Sequence, residues 1–271
     1  MPDKKRVLFV TQELDPYIAL SNIAKVARKL PQFVQEQGME IRILMPKFGT
    51  INERRHRLHE VVRLSGMNII IDEDDYPLII KVASLPGARM QVYFLDNEDF
   101  FKRKGVFSSN GKLFDDNSER MIFFCKGVLE TVRKFGWPPD IIHCHGWMTS
   151  LIPAYLKTAY KHEPVFSKAK VIYTVYNKSF EGVLSKDFAK KAALIQKKVA
   201  DDAMKSYKDA SYDGLAIGAI AHADAVVVAK GVNGPVEKMI KKSKKPVLQL
   251  TEDVTDLAPY REFYKEVMGL N

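Results

Sequence analysis

Two isoleucines, Ile141 and Ile142, stand between Pro138-Pro139-Asp140 and the run His143-Cys144-His145-Gly146-Trp147. This stretch, from Pro138 to Leu151, constrains the fold more than any other. The prolines and Asp140 end a helix, and an apolar run this short reads as a buried strand. Thr149 is placed to cap the helix that follows. In open α/β sheets, ligands sit just beyond the carboxyl ends of the strands. A strand ending in histidine, glycine and tryptophan therefore points to a cleft at that edge. His143 and His145 are expected to part there, one toward the core and one toward the cleft.

The rest of the chain supplies the sheet around that strand. Arg6 to Val10 reads as strand one. A helix from about Asn22 to Gln37 follows, with Ile23, Val26, Leu30, Phe33 and Val34 on one face, Ser21 or Asn22 as N-cap and Gly38 as its stop. Glu40 to Met45 is strand two, ended by Pro46, and the βαβ order implies a parallel sheet. From Leu58 to Leu95, β-rich runs alternate with Ser-Gly, Asp-Glu-Asp-Asp and Pro-Gly turns, which reads as antiparallel hairpins. A short helix from Asp96-Asn97 and a long one within Phe114 to Lys134, capped near Asp116 or Asn117, precede the central stretch. After it come a helix from about Thr149 to Tyr160, a strand Lys170 to Val175, and a lysine-rich surface helix from about Lys186 to Tyr207. A helix Gly214 to His222, a strand Ala225 to Val228, a helix Val232 to Lys242 and a docking tail helix Leu257 to Met268 complete the chain. The fold class is α/β, a Rossmann-like parallel sheet flanked by helices, with inserted β-hairpins. No repeat or low-complexity linker divides residues 1–271, so one domain is expected.

Composition acts mainly by exclusion. The net charge of +9 is spread over lysine-bearing helix faces between Lys186 and Lys245, with no nucleic-acid-binding signature. A solvated basic surface, and no nucleic-acid partner, is expected. Cys125 and Cys144 are the only cysteines and fall on segments expected to be buried, which fits a reducing compartment. The N-terminal apolar run is too short for a secretory signal, and the stretch Leu215 to Ala229 is broken by His222 and Asp224. A cytoplasmic protein without a membrane partner is expected.

Motif chemistry is sparse. No G-x-G-x-x-G follows strand one, and the chain has no Walker loop, no Cys-x-x-Cys and no His-Glu-x-x-His. His143 and His145 lack a second ligand pair, so no metal is expected. Asp72 to Asp75 reads as a hairpin turn and Asp115-Asp116 as helix capping. No cofactor is expected.

Several blocks do carry a resemblance: VLFVTQELDPY, MPKFG, VYFLDNEDFFKRKGVF, DDNSERMIFFCKGVLETVRKFGWPPDIIHCHGWMTSLIPAYL, YTVYNKSFEG and AIAHADAVVVAKG. Together they resemble the N-terminal domain of bacterial glycogen synthases and plant starch synthases, retaining glycosyltransferases of the GT-B architecture. The resemblance runs the length of the chain. It implies transfer of glucose from ADP-glucose or UDP-glucose to an α-1,4-glucan. It also implies that the N-terminal half binds acceptor and completes a cleft, and that a C-terminal half, expected to be missing here, holds most of the nucleotide sugar.

Three departures from the family pattern fall in the half that is present. The family's Lys-Thr-Gly-Gly aligns with Ala19, Leu20, Ser21 and Asn22. Bare glycine amides at a helix N-terminus, with a lysine, form an anion site. Ala19 and Leu20 bring no charge, and Ser21 and Asn22 add β-carbons, so the diphosphate site is expected to be lost. The family's His-x-His-Asp-Trp-His reads here with Gly146 for the aspartate and Met148 for the last histidine. Tyr176 replaces the histidine of Thr-Ile-His-Asn, which the resemblance places beside the reacting sugar, where an oriented polar group stabilises developing charge. No catalytic position is expected to be intact.

The residues retained for binding are Tyr17, Asp116, Asn117, Arg120, His145, Trp147, Thr149 and Asn177, alongside the substituted Ser21 and Asn22. Trp147 reads either as a packed aromatic or as a sugar-stacking platform. Asp116 and Arg120 read as a helix-start ion pair or as ligand contacts. His143 reads as a satisfied core histidine. Two functions follow: a non-catalytic module that binds α-1,4-glucan or regulates a synthase, or a glucosyltransferase working with a separately encoded donor-domain chain. A third reading is an old cleft that takes an unrelated small molecule.

Overall fold

The computed structural model describes residues 4–193, 201–207, 209–251 and 256–270. Strands β1 (Arg6–Thr11), β2 (Glu40–Pro46), β3 (His59–Glu60), β4 (Met67–Ile71), β5 (Asp74–Ser84) and β6 (Gln91–Asp96) form the first half. A separate ribbon, β7 (Ser108–Ser109) with β8 (Lys112–Leu113), leads to β9 (Ile141–His145), β10 (Lys170–Val175), β11 (Ala225–Val228) and β12 (Val247–Gln249). The main sheet runs β12-β11-β10-β9-β1-β2-β6-β5-β3, with β4 paired to β5. It is parallel from β12 to β6 and antiparallel beyond.

The helices are α1 (Asn22–Glu36), α2 (Glu53–His56), α3 (Glu98–Phe101), α4 (Asn117–Phe135), α5 (Ile152–Lys157), α6 (Phe188–Ala192), α7 (Asp201–Lys205), α8 (Tyr212–His222), α9 (Gly234–Ser243) and α10 (Ala258–Met268). Buried Val26, Ala27, Leu30 and Val34 hold α1 to the core. Ser21 is the N-cap of α1, and Gly38 just beyond its end has φ +88°, a conformation glycine takes without strain. From β1 the chain steps outward one way to β2, and from β9 the other way to β10, β11 and β12. β1 and β9 are neighbours, so their carboxyl ends mark the switch point where such sheets bind ligands.

Several expectations need correction. His143 and His145 do not diverge: residues two apart on a strand share a face, and their ring centroids are 4.1 Å apart. The helix expected from Thr149 begins at Ile152, after a 3-10 turn over Trp147–Thr149. Thr149 does not cap it; its hydroxyl donates back to Gly146 O at 2.7 Å. Asp116 sits at the N-cap of α4 but makes no side-chain cap bond, because its carboxylate is held by the forked guanidinium of Arg103. The last strand before Asp96 pairs antiparallel with β5 as expected, and in parallel with β2 as well. The single lysine-rich surface helix is not found: α6 ends at Ala192, with Ala193 extended, and buries Phe188 and Ala192; α7 is a separate short helix, and residues 194–200 lie outside the described residues.

Candidate functional site

A cleft of about 680 Å³ opens at the switch point. Gln12 and Glu13 from the end of β1 line it, with Leu20 to Ile23 from the start of α1. Trp147 follows β9, Tyr176 and Asn177 follow β10, Lys230 follows β11, and Leu250 and Thr251 follow β12. Phe107, Ser108 and Leu113 of the ribbon, with Ser179, Phe180 and Tyr212, complete the walls. Trp147 packs tilted against Phe107 and edge-on against Phe180, 5.0 and 5.3 Å between centroids, and Phe180 packs edge-on against Tyr212 at 5.5 Å. The tryptophan is thus mostly buried aromatic wall with one edge on the cleft.

The N-terminus of α1 is closed by the chain itself. Glu13, 1% exposed, accepts from the backbone N–H groups of Leu20 and Ser21, both at 2.8 Å, and from the Ser21 hydroxyl at 2.9 Å. Ser21 Oγ in turn accepts from Ile23 N–H at 3.1 Å. Amides that a helix start leaves unpaired are here bonded to a carboxylate and a hydroxyl. Ala19 and Leu20 are exposed, Leu20 at 58%. Neither side chain carries a charge.

The turn after β9 is shaped by Gly146, at φ +87° and ψ 162°, a region essentially reserved for glycine. A β-carbon there would overlap the side-chain amide of Gln12 and come within 2.6 Å of its Cγ. Gln12 Oε1 accepts from Met148 N–H at 3.3 Å, fixing the turn. Met148 is fully buried, and its carbonyl accepts from the Cys125 thiol.

Beneath the cleft lies a buried polar layer. His143 is satisfied at both nitrogens, Nδ1 with Tyr264 Oη of α10 at 2.6 Å and Nε2 with Thr174 Oγ1 at 2.7 Å. His145 Nδ1 meets Tyr176 Oη at 2.9 Å, and His145 Nε2 is buried without a partner. Burial, with His145 alongside, holds His143 well below the usual histidine pKa, and burial pushes His145 down to about 3. Both rings are neutral at pH 7. Burial likewise drives the Tyr176 phenol well above its usual pKa.

Of the sequence candidates, Ser21, Asn22, Trp147, Tyr176 and Asn177 come together on the cleft. The others do not line it. Tyr17 packs against Phe94 and His56. Arg120 is fully buried, bonded to Phe100 O at 2.8 Å and Asn117 Oδ1 at 2.6 Å, among the rings of Phe48, Phe101 and Phe114. Burial lowers its pKa to about 10. The expected Asp116–Arg120 ion pair is replaced by Asp116–Arg103. Asn117 donates to Phe107 O at 2.8 Å, so it positions the ribbon wall. His145 and Thr149 are fully buried. Gln12, Glu13, Phe107, Phe180, Tyr212 and Lys230 were not singled out from sequence. The position of Gln12 and Glu13 directly after strand one is the signal that would have found those two. Among the described residues, no group of three His, Cys, Asp or Glu side chains is placed to hold a metal ion, and no helix is long and apolar enough to cross a membrane.

The profile of the starch synthase catalytic domain family matches residues 6–230. The chain belongs to that family. Among relatives of this starch synthase-type domain, the glycogen synthase of Chlorobium limicola is 45% identical over 181 residues, covering 66% of this chain and 37% of the relative. That of Chlorobium phaeovibrioides is 40% identical over 224 residues, covering 81% and 44%. The chain therefore spans less than half the length of these curated relatives. The catalytic domain of starch synthase IV from Arabidopsis thaliana, bound to ADP and acarbose, superimposes with a TM-score of 0.74 at 19% identity, over 92% of this chain and 51% of that one. That likeness is one of fold, and it puts the starch synthase-type domain in the Rossmann-like half of a GT-B architecture.

Proposed function

We propose that this starch synthase-type domain works in glucan metabolism as a non-catalytic module, holding an α-1,4-glucan end in the switch-point cleft without binding the nucleotide sugar. The observation that carries the reading is the self-closed start of α1. The amides of Leu20, Ser21 and Ile23 are bonded to Glu13 and Ser21. A diphosphate entering here meets a buried carboxylate and no lysine at Ala19, and burying an unpaired anion is costly.

Apart from Lys230, the rest of the lining is uncharged. Asn22, Ser108, Asn177 and Ser179 bring hydroxyls and amides to the lining, between aromatic and aliphatic walls. That is the combination that saccharide rings, polar at the edges and apolar on the faces, require. The family's acid and histidine positions hold Gly146, Met148 and Tyr176. Loss of one positioned electrostatic group costs on the order of a hundredfold in rate, and three such changes argue against glucosyl transfer by these residues. The partner implied is glucan, with a synthase as a regulatory target.

Isothermal titration tests the reading. Heat with maltotetraose and none with ADP-glucose or UDP-glucose is the expected result. Tight nucleotide-sugar binding, or incorporation of labelled glucose into glycogen by this chain alone, contradicts it. Incorporation only when a donor-domain chain is added would favour the split glucosyltransferase instead.

A further inference from the structure

We propose that the basic surface where α1 meets α2 is a docking site for an acidic segment of a partner protein. Arg54, Arg55 and Arg57 stand within one turn of chain, and all of them are exposed. Glu53, the carboxylate of α2, does not neutralise them, because it is paired with Lys47 and Lys81. Alongside runs the outer stripe of α1, where Lys25, Arg28 and Lys29 share a face. Tyr17 joins the two: its ring centroid lies 4.8 Å from that of His56 on α2, and the Arg28 charge acts on its phenol. Arg28 also donates to Pro86 O, and Gln35 to Arg89 O, which adds the exposed Arg89 to the same surface. Lys25, Lys29, Arg54, Arg55, Arg57 and Arg89 are thus exposed together, and none is ion-paired among the described residues.

Like charges crowded this way repel, and solubility alone is served by interspersed signs. The excess does not fade near neutrality, because it lies on arginine and lysine. Burial, with Arg55 alongside, holds His56 below the usual histidine pKa. Guanidinium forks match carboxylates two hydrogen bonds at a time, which suits the aspartates and glutamates of an acidic chain. Nucleic acid fits less well. Its bases stack on exposed aromatic faces, and here Tyr17 is buried and His56 is turned onto it. The helix Glu53–His56 is also too short to read a groove. A second copy would bring the exposed acidic run at residues 72–75, where β4 turns into β5. The net charge of +9 on each copy opposes that pairing. The inference is independent of the glucan reading.

Fluorescence anisotropy of a dye-labelled polyglutamate peptide, titrated with the full chain, tests the proposal. Salt of about 0.1 M screens charges more than about 10 Å away. Wild type should bind there, and Arg54→Glu/Arg55→Glu/Arg57→Glu should bind at least about tenfold more weakly. Lys238→Glu/Lys242→Glu/Lys244→Glu changes the net charge equally, at exposed lysines of α9 and just beyond it. That variant should stay within about threefold of wild type. If the arginine variant does not fold, Lys25→Glu/Lys29→Glu/Arg89→Glu takes its place with the same expected loss. No binding by wild type, or equal weakening by the basic-surface and α9 variants, overturns the proposal. An oligonucleotide that binds more tightly than the peptide through the same arginines also overturns it. So does a dimer, seen by sedimentation, that the arginine substitutions dissociate.

Discussion

The side-chain amide of Gln12 fills the space into which a β-carbon on Gly146 would project. Two segments far apart in sequence, the end of β1 and the turn after β9, are interlocked by this contact, by the Gln12–Met148 hydrogen bond and by the bond from Gln12 N–H to His145 O. The aspartate that the family resemblance places at 146 cannot be restored alone. Gly146→Ala is expected to destabilise by about 2–4 kcal/mol, combining backbone strain at positive φ with the overlap. Adding Gln12→Ala should recover the overlap part only. Urea unfolding of the single and double variants checks this.

Glu13 is expected to be the costlier member of the α1 closure. Glu13→Ala leaves two N–H groups and a hydroxyl without their acceptor, a loss of about 2–4 kcal/mol if water does not replace it. Ser21→Ala removes an N-cap, for about 0.5–2 kcal/mol. Because Ser21 also donates to Glu13, the two losses should not add. A double-mutant cycle by denaturant titration measures the coupling.

Acid should unfold the protein through the histidine pair. Both rings have folded pKa values below the unfolded value, so the folded state binds fewer protons than the unfolded one. Their contribution is intact above about pH 6.5 and is lost as pH falls from there toward the folded values. For His145, with a folded value of about 3, the loss by pH 4 is on the order of 3 kcal/mol. A His143→Phe/His145→Phe variant that folds should show a flatter stability profile between pH 6.5 and 4.

Lys126 should act in the opposite range. Only 5% exposed, it donates to Ile70 O at 2.8 Å, and burial lowers its pKa to about 8. Its folded pKa lies below the unfolded one, so the charged form costs stability below pH 8. That cost is relieved as pH rises from about 8 to 10.5. Lys126→Met is expected to raise stability at pH 7 by about 1–3 kcal/mol and to flatten that rise. Denaturant midpoints for wild type and variant from pH 7 to 10.5 check it.

Much of the sheet was legible because its strands are short apolar runs with clear stops. Lys170–Val175 and Ala225–Val228 agree with their expected spans, and α1 runs close to its cap and stop signals. What escaped was fixed by contacts remote in sequence. β12 is only Val247–Gln249, an edge strand defined by pairing with β11. The ribbon at residues 108–113 carries no run of apolar residues to announce it. Asp116 looks like a cap until Arg103, brought over by the loop after α3, takes its carboxylate. Glu13 closes a helix that starts nine residues later, beyond the reach of local capping rules. The divergence expected of His143 and His145 was a misreading of strand parity rather than a tertiary effect.

A crystal soaked with ADP-glucose and maltotetraose together tests the central claim most directly. Saccharide density beside Tyr176 and Asn177, with none of the nucleotide against residues 19–22, is the expected result. A diphosphate seated on the amides at the start of α1, with Glu13 displaced, would contradict it.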